Sequence, residues 1–326
     1  MNKIKHLVIS GGGPTGYKFV GALKHLEEKG FYSISNIESI YSTSIGSIIG
    51  AIICLKYDWD TVINYMVNRP WKDAFPLTTK QIMDAYSNKG LYDRKIADII
   101  FKPLLEAKDL SLNTTLKDLY EYSKIDLHIY TVEVNSFTLV DLSHKTHPDL
   151  LVTNAVLMSS TVPTLLAPIC DDKCCYIDGG LICNYPIDNC LLECKPENVL
   201  GIRGLWSNKQ SDTVINNNSN MLEFGTGVFM NAVNYLISYK HTVEIPYEVK
   251  CEAEHMSLAT IKEIVDNQSI RQQFIEDGAK YAQKMLDNIK ERQDDIKEKQ
   301  DDIKEKQSPD VNNTLFKEQY SQTEPL

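Results

Sequence analysis

Three short segments of the chain carry groups that could do chemistry together. Ser44 has Ser42 and Gly46 at i−2 and i+2. Small residues at both places are what a nucleophile elbow requires, because a strand-to-helix turn brings the backbone against its neighbours while exposing Oγ. The usual pattern is Gly-x-Ser-x-Gly, and Ser42 stands for the first glycine. Asp178 precedes Gly179 and Gly180; alone it would read as a turn or cap residue, and beside an activated serine it would be the base. The third segment is Gly11-Gly12-Gly13-Pro14-Thr15-Gly16. Its consecutive backbone N–H groups, backed by a helix N-terminus, could hold the pyrophosphate of a dinucleotide or the oxyanion of an acyl-transfer intermediate. A dinucleotide site also wants an acid at the end of the second strand for the ribose, and that strand runs into Tyr41-Ser42-Thr43-Ser44 instead.

The elements that must position these groups are legible nearby. An apolar run at 6–9 predicts a buried strand, the glycines break it, and Phe19, Val20, Leu23 and Leu26 recur at helical spacing until Gly30. A second strand at 37–41 leads through the Ser44 turn into an apolar helix at about 47–56. Strand–loop–helix repeated twice predicts a parallel sheet with helices on both faces. Helices are expected at 60–67, 79–86, 94–105, 116–122 and 150–158, a hairpin at 126–142, short strands at 175–177 and 199–202, and helices at 221–239 and 257–289. The order Ser44…Asp178…His241 or His255 would formally make an α/β-hydrolase triad. That fold builds several strands before its elbow, however, and both histidines lie in or beside helical patterns. A Ser44–Asp178 dyad fits better.

Composition narrows the classes. The 326 residues are 43% apolar and 24% charged with 17 Tyr and 9 Phe, which excludes a collagen-like or wholly disordered chain. A formal net charge of −10 gives no field for wrapping nucleic acid. The longest uninterrupted apolar run, 48–55, is far short of the roughly 18–20 residues of a membrane span. The N-terminus lacks the h-region and cleavage site of a signal peptide, so a cytoplasmic setting with reduced thiols is expected for the 8 cysteines. Cys170, Cys174, Cys175, Cys183, Cys190 and Cys194 cluster loosely, without the tight Cys-x2-Cys pairs and nearby histidines of a zinc site. No metal and no cofactor are expected. In 69–77, Trp71, Phe75 and Leu77 occupy a proline-broken stretch and read as buried loop anchors, with lipid-surface contact as the alternative.

In their order along the chain, these segments resemble the patatin-like phospholipase family over roughly residues 4–190. The glycine loop is followed by a helix containing Gly21-Ala22-Leu23, then the serine elbow, then Ser159-Ser160-Thr161-Val162-Pro163 with Pro168, and last Asp178-Gly179-Gly180 with Asn184-Tyr185-Pro186. Two positions depart from the pattern: Thr15 stands where the family commonly has Arg or Lys, and Ser42 replaces a glycine. The resemblance implies a three-layer α/β/α sandwich with a mostly parallel central sheet and a helical C-terminal extension. It also implies a serine lipid acyl hydrolase, acting on the carboxylic esters of phospholipids or related lipids. Ser44 would be the nucleophile and Asp178 the proton acceptor. Gly11, Gly12, Gly13 and Ile45 would form the oxyanion hole, with Gly16, Ser42, Gly46, Gly179 and Gly180 in support. The implied partner is an acyl lipid, met through transient contact at a membrane surface, and no nucleic acid. A catalytically inactive lipid-binding relative and, further off, a nucleotide-binding oxidoreductase are the competing readings.

The sequence divides the chain at about residue 290. Residues 1–290 read as the hydrolase domain, with a motif-bearing core at about 4–205 and a helical extension at 206–290. Residues 291–326 read as a charged helix followed by a disordered tail. The seven residues 293–299 recur as 300–306, with one isoleucine per repeat (Ile296, Ile303), whereas a coiled-coil seam needs apolar residues at both a and d. Pairs such as Asp295 with Lys299 contribute only about 0.2–0.5 kcal/mol each, so a frayed, solvated helix is expected. Truncation after Lys290 should therefore leave solubility and ester turnover intact. An insoluble truncated chain, or one with most of its turnover gone, would show that the tail packs on the domain.

Overall fold

The computed structural model describes residues 3–76, 78–206, 215–239, 243–254 and 257–307. Residues from Ser308 onward, expected to be disordered, lie outside the described residues. By its internal contacts the chain divides into a body of residues 1–283, which carries the sheet and all the candidate site residues, and a second unit of residues 284–326.

The N-terminal half of the body begins as the sequence suggests: β1 (His6–Ile9), α1 (Gly16–Glu28), β2 (Ser39–Thr43) and α2 (Ile45–Cys54). The peripheral helices α3 (Trp59–Asn68), α4 (Trp71–Ala74), α5 (Thr79–Asn88), α6 (Lys95–Glu106) and α7 (Leu116–Ser123) come next in the chain, with β3 (Gly90–Tyr92) between α5 and α6. Beyond them lie β4 (Asp126–Glu133), β5 (Thr138–Leu142) and α8 (Val152–Ser160), then β6 (Thr164–Leu166), β7 (Ile169–Cys170) and β8 (Cys175–Asp178). After α9 (Gly180–Cys183), α10 (Ile187–Leu191) and β9 (Val199–Leu205), the chain adds α11 (Met221–Tyr239), β10 (Glu248–Glu252), α12 (Leu258–Asp266) and α13, which begins at Gln268.

The central sheet has the order β10-β9-β1-β2-β4-β8-β7, with β5 also on β4. From β10 to β4 all neighbours are parallel, while β5 and β8 run antiparallel to β4. Helices cover both faces. On one, Val8, Tyr41 and Tyr130 pack with Tyr185, Ile187 and Cys190; on the other, α2 contacts α1, α8 and the strands β1, β2 and β4. Strands with helices on both sides are buried on both faces, and β2 accordingly has every residue buried, its Ser39, Ser42 and Thr43 included.

The register along β4 places the ends of its two neighbours side by side. Tyr130 is paired with Thr43 at the end of β2, and the next residue, Thr131, with Asp178 at the end of β8. The residue after Thr43 is Ser44. Two strands distant in sequence thus end at adjacent positions on one ruler.

Two findings differ from the sequence reading. Cys170 and Cys175 are joined in a disulfide, facing each other across the β7–β8 pair, so the expectation of uniformly reduced cysteines fails there; the other six are free thiols. The helix expected at 257–289 is broken at Asn267, whose extended backbone separates α12 from α13. The sequence reading has no counterpart to the edge strand β10, Glu-Val-Lys-Cys-Glu, which buries Val249 and Cys251 and owes its place in the sheet to pairing with β9.

Beside the elbow strand lies a half-buried charged cluster. His128 of β4 stacks on Tyr41 at 4.5 Å and donates from Nδ1 to Asp141 Oδ2 at 2.7 Å, while Nε2 lies 3.3 Å from Asp126 Oδ2. Lys145 Nζ, at 2.6 Å, also meets Asp126. Burial opposes the imidazolium, but the two carboxylates outweigh it and lift the His128 pKa to about 9. A raised histidine pKa stabilises the fold fully below its unfolded value of about 6.5, and that contribution disappears as pH rises through the folded value. His128→Asn should therefore cost about 1–3 kcal/mol at pH 6. Denaturant titrations across pH should show the gap to wild type narrowing by pH 9.5; a constant gap would exclude an ionised His128.

Candidate functional site

Ser44 joins β2 to α2 with φ 55° and ψ −124°, a region that costs a non-glycine residue about 1–3 kcal/mol and persists only where its surroundings impose it. Those surroundings can be named. Ser44 N donates to Ser159 Oγ at 2.8 Å, and Ser159 Oγ donates in turn to Tyr130 O at 2.6 Å. Gly46 lies so close to β1 that a Cβ there would overlap the Ile9 and Ser10 carbonyl oxygens. Gly179 likewise leaves no room for a side chain against Tyr130 O. Both glycines are close-approach sites, and both fix where the β2 and β8 ends meet.

At that meeting point Ser44 Oγ donates to Asp178 Oδ2 at 2.6 Å. Gly180 N donates to Asp178 Oδ1 at 2.7 Å and orients the carboxylate. Asp178 is 5% exposed. Burial raises its pKa to about 6, partly countered by the Ser44 and Gly180 hydrogen bonds. The group is thus ionised at neutral pH but more basic than a solvated carboxylate.

The glycine loop runs beside Ser44, and the structure corrects one assignment in it. Gly11 N donates to Asn184 O at 2.9 Å; this amide anchors the loop and is not offered to a substrate, so Gly11 leaves the oxyanion set. Among the described residues no hydrogen-bond partner occupies the amides of Gly12, Gly13 or Ile45, and Ile45 N opens the N-terminus of α2, where the helix dipole adds positive potential. Gly16 opens α1 facing the Ile45 side chain. The two departures from the family pattern are both accommodated. Ser42 Oγ donates to His128 O at 3.0 Å. Thr15 Oγ1 accepts from Glu254 N at 2.9 Å, beside Lys18, whose Nζ donates to Glu252 O at 2.9 Å and meets Glu254 Oε1. Thr15 and Lys18 together fasten the loop to the end of β10.

An apolar cavity of about 220 Å³ opens beside Ser44, walled by Ile48 and Ile52 of α2, Met66 of α3, Trp71 of α4, Leu165, and Ile264 of α12, among others. Trp71 and Phe75, read from the sequence as loop anchors, are cavity walls, with Trp71 buried and its Nε1 donating to Met66 O. Leu77, His241 and His255 lie outside the described residues. A smaller cleft of about 20 Å³, lined by Gly12, Asp178, Asn184, Phe229, Met230 and Val233, reaches Ser44 from the α11 side. The far wall depends on a residue that sequence reasoning missed. Arg271, 3% exposed, donates to Val67 O at the end of α3 and to Ile264 O and Val265 O at the end of α12. One guanidinium neutralises two converging helix C-termini, and nothing local in the sequence distinguishes it from a surface arginine.

Among the described residues no cluster of three or more potential ligands could hold a metal ion. The arrangement therefore combines a hydroxyl bonded to a buried carboxylate, amides without partners beside it and an apolar cavity.

The chain shares 25% identity over 240 residues with an uncharacterized protein of Acanthamoeba polyphaga mimivirus, covering 72% of this chain and 78% of that one. A protein of Invertebrate iridescent virus 6 named a probable lipid hydrolase is 27% identical over 187 residues, covering 56% of this chain and 62% of the relative. Lysophospholipase nte1 of Aspergillus fumigatus is 27% identical over 183 residues, which is 56% of this chain but 11% of that much longer protein. Among solved structures, VipD from Legionella pneumophila superposes with a TM-score of 0.49 at 17% identity, covering 88% of this chain and 67% of that one. The family model described as patatin-like phospholipase matches residues 7–191, from β1 to the end of α10. That span exceeds half of the sequence and holds both Ser44 and Asp178: the chain belongs to the patatin-like phospholipase family.

Proposed function

We propose that the protein is a serine lipid acyl hydrolase, cleaving fatty-acyl esters of phospholipids or related lipids through Ser44 and Asp178. The observation that carries this reading is the 2.6 Å bond from Ser44 Oγ to a buried carboxylate, at the mouth of an apolar cavity. Lipid hydrolysis is also what the family and the relative named a probable lipid hydrolase support.

The acyl chain lies in the apolar cavity and brings its ester carbonyl to Ser44. Oγ attacks the carbonyl carbon while its proton passes to Asp178 Oδ2. The amides of Gly12, Gly13 and Ile45 receive the oxyanion, placed in advance and with nothing to reorganise. Collapse of the tetrahedral intermediate expels the alcohol, which takes the proton from Asp178 and leaves an acyl-enzyme. Water then loses a proton to Asp178 and attacks the acyl carbon; collapse of this second intermediate releases the fatty acid, and Asp178 returns the proton to Ser44 Oγ. A carboxylate at the ordinary value of about 3.9 would be a poor base for this work, and the burial that lifts Asp178 to about 6 brings it closer to the operating pH.

Ser44→Ala should reduce turnover of a chromogenic fatty-acyl ester and of labelled phosphatidylcholine by about three orders of magnitude or more. A fluorophosphonate probe should label wild type and leave the variant unlabelled. Equal turnover by the two proteins would reject the assignment.

Asp178 must be ionised to act, so kcat/KM should be flat above pH 7 and fall about tenfold per unit below about pH 6. Stability should respond in the opposite sense. An acid whose folded pKa is raised opposes folding once pH exceeds its unfolded value of about 3.9. Asp178→Asn should therefore abolish turnover yet raise the unfolding midpoint at pH 8, with less gain at pH 4.5. A midpoint lowered at pH 8 would mean that the ionised carboxylate holds the fold together.

A further inference from the structure

Helix α11 has two apolar faces. The inner one docks on β6 and α9, where Thr226 Oγ1 meets Thr164 Oγ1 at 2.7 Å, and its Phe229, Met230 and Val233 line the cleft that reaches Ser44 and Asp178. The outer face holds Met221, Phe224, Val228, Ala232 and Tyr235, at steps of 3, 4, 4 and 3 residues, with Leu236 adjoining. Four of them are exposed large apolar side chains, Met221 at 75%, Phe224 at 56%, Val228 at 49% and Leu236 at 47%, and the Tyr235 ring is 61% exposed. At 100° per residue these positions fall within about a third of the helix circumference. Contiguous exposed apolar surface of this kind marks a contact site.

We propose that this outer face of α11 seats the protein on a zwitterionic or uncharged lipid surface, directly over the route to Ser44. The proposal rests on the lipid hydrolase reading for its purpose and on α11 for its geometry. The helix is not long and apolar enough to cross a membrane, and an amphipathic helix of this form lies in the interface plane. A lipid surface touching the outer face is within one helix diameter, about 10 Å, of the cleft that the inner face lines. Electrostatics select the kind of lipid. Glu223 is the single charged residue of α11, its carboxylate is held by Asn220 N, and the chain carries a net charge of −10. Nothing in this face attracts an anionic membrane. A second copy of the chain is disfavoured by size, since a stripe of about 25 Å by 10 Å is well below the roughly 800 Å² per partner of a stable dimer.

The test uses the full-length chain with Ser44→Ala, so that bound lipid is not consumed, and vesicles of phosphatidylcholine with or without phosphatidylserine. The chain should sediment with phosphatidylcholine vesicles equally at low and high salt, and phosphatidylserine should add nothing. Adding Phe224→Glu with Val228→Glu should cut the bound fraction about tenfold or more. In the chain that retains Ser44, the same pair should lower turnover of vesicle lipid by a similar factor while leaving turnover of a soluble short-chain ester unchanged. Four results would overturn the proposal: binding unaffected by the pair; equal loss on vesicle and soluble substrates, which marks a structural role; binding that needs phosphatidylserine and vanishes in salt; or a dimer that the pair dissociates without altering vesicle binding. If Ser44→Ala retains ester turnover, the hydrolase reading fails, and the sedimentation result still judges the docking face.

Discussion

The structure turns on the backbone of Ser44. Its positive φ cannot be inherited from a helix or a strand, so it must be imposed, and every neighbour contributes. Gly46 lets α2 start against the carbonyls of β1, and Gly179 lets the end of β8 close on Tyr130. Ser159 holds the Ser44 amide and anchors it to the same Tyr130 carbonyl. Apolar α2 then buries nearly its whole length, with Ile49, Ala51, Ile53 and Cys54 all almost fully enclosed. At about 25 cal/mol per Å² of buried apolar surface, a few such side chains outweigh a local backbone penalty of about 1–3 kcal/mol. Folding energy collected along the helix is what keeps one residue strained at its first turn.

The second destabilising feature is Asp178, a carboxylate in a dry setting, held by two hydrogen-bond donors with no cation paired to it among the described residues. The contrast with Asp126 is informative. Asp126 is also largely buried, yet His128, Lys145 and His144 surround it, and these contacts hold its pKa well below the ordinary range despite the burial. The same side chain is thus a structural anion at one end of the sheet and the proposed base at the other, and partner charge makes the difference. A cation beside Asp178 would stabilise the fold and lower the basicity that the proposed chemistry needs. Thr15 in place of a basic residue leaves the loop side of the site without a positive charge of its own; Lys18 is taken up by Glu252 and Glu254.

How much the sequence reveals depends on how local each feature is. The glycine loop, the elbow and the Asp178 turn are each set within six residues, and the strands and helices beside them carry clear periodicity, so the parallel sheet and the candidate dyad were legible. The Gly11 amide was misassigned because its partner is a carbonyl in another loop, Asn184 O, and a pattern of consecutive glycines does not reveal which N–H is already taken. The cavity was invisible for a related reason. Its walls come from α2, α3, α4 and α12, and each contributing residue looks like ordinary core within its own segment. Arg271 and β10 were missed because their significance is entirely in long-range partners: helix-end carbonyls for the first, the β9 edge for the second.

Six buried hydroxyl groups near Ser44 show how the proposed site would single out one nucleophile. Ser42 donates to His128 O, Thr43 to Cys183 O, Ser47 to Ser44 O, Thr131 to Met158 O, Ser159 to Tyr130 O and Thr161 to Leu157 O. Each is buried, and a buried hydroxyl without a partner would be costly, so a carbonyl acceptor satisfies each one. A carbonyl oxygen, however, cannot take the proton away. Ser44 is the member of this set bonded to a carboxylate, the one acceptor here able to receive a proton and return it. Ser42, the departure from the usual elbow glycine, belongs to the satisfied group: its hydroxyl is turned to β4 and its donor is occupied there. The proposed nucleophile is therefore distinguished less by residue type than by its acceptor, and the β4 register that sets Thr43 and Asp178 on consecutive partners is what gives Ser44 that acceptor and no other hydroxyl of the set.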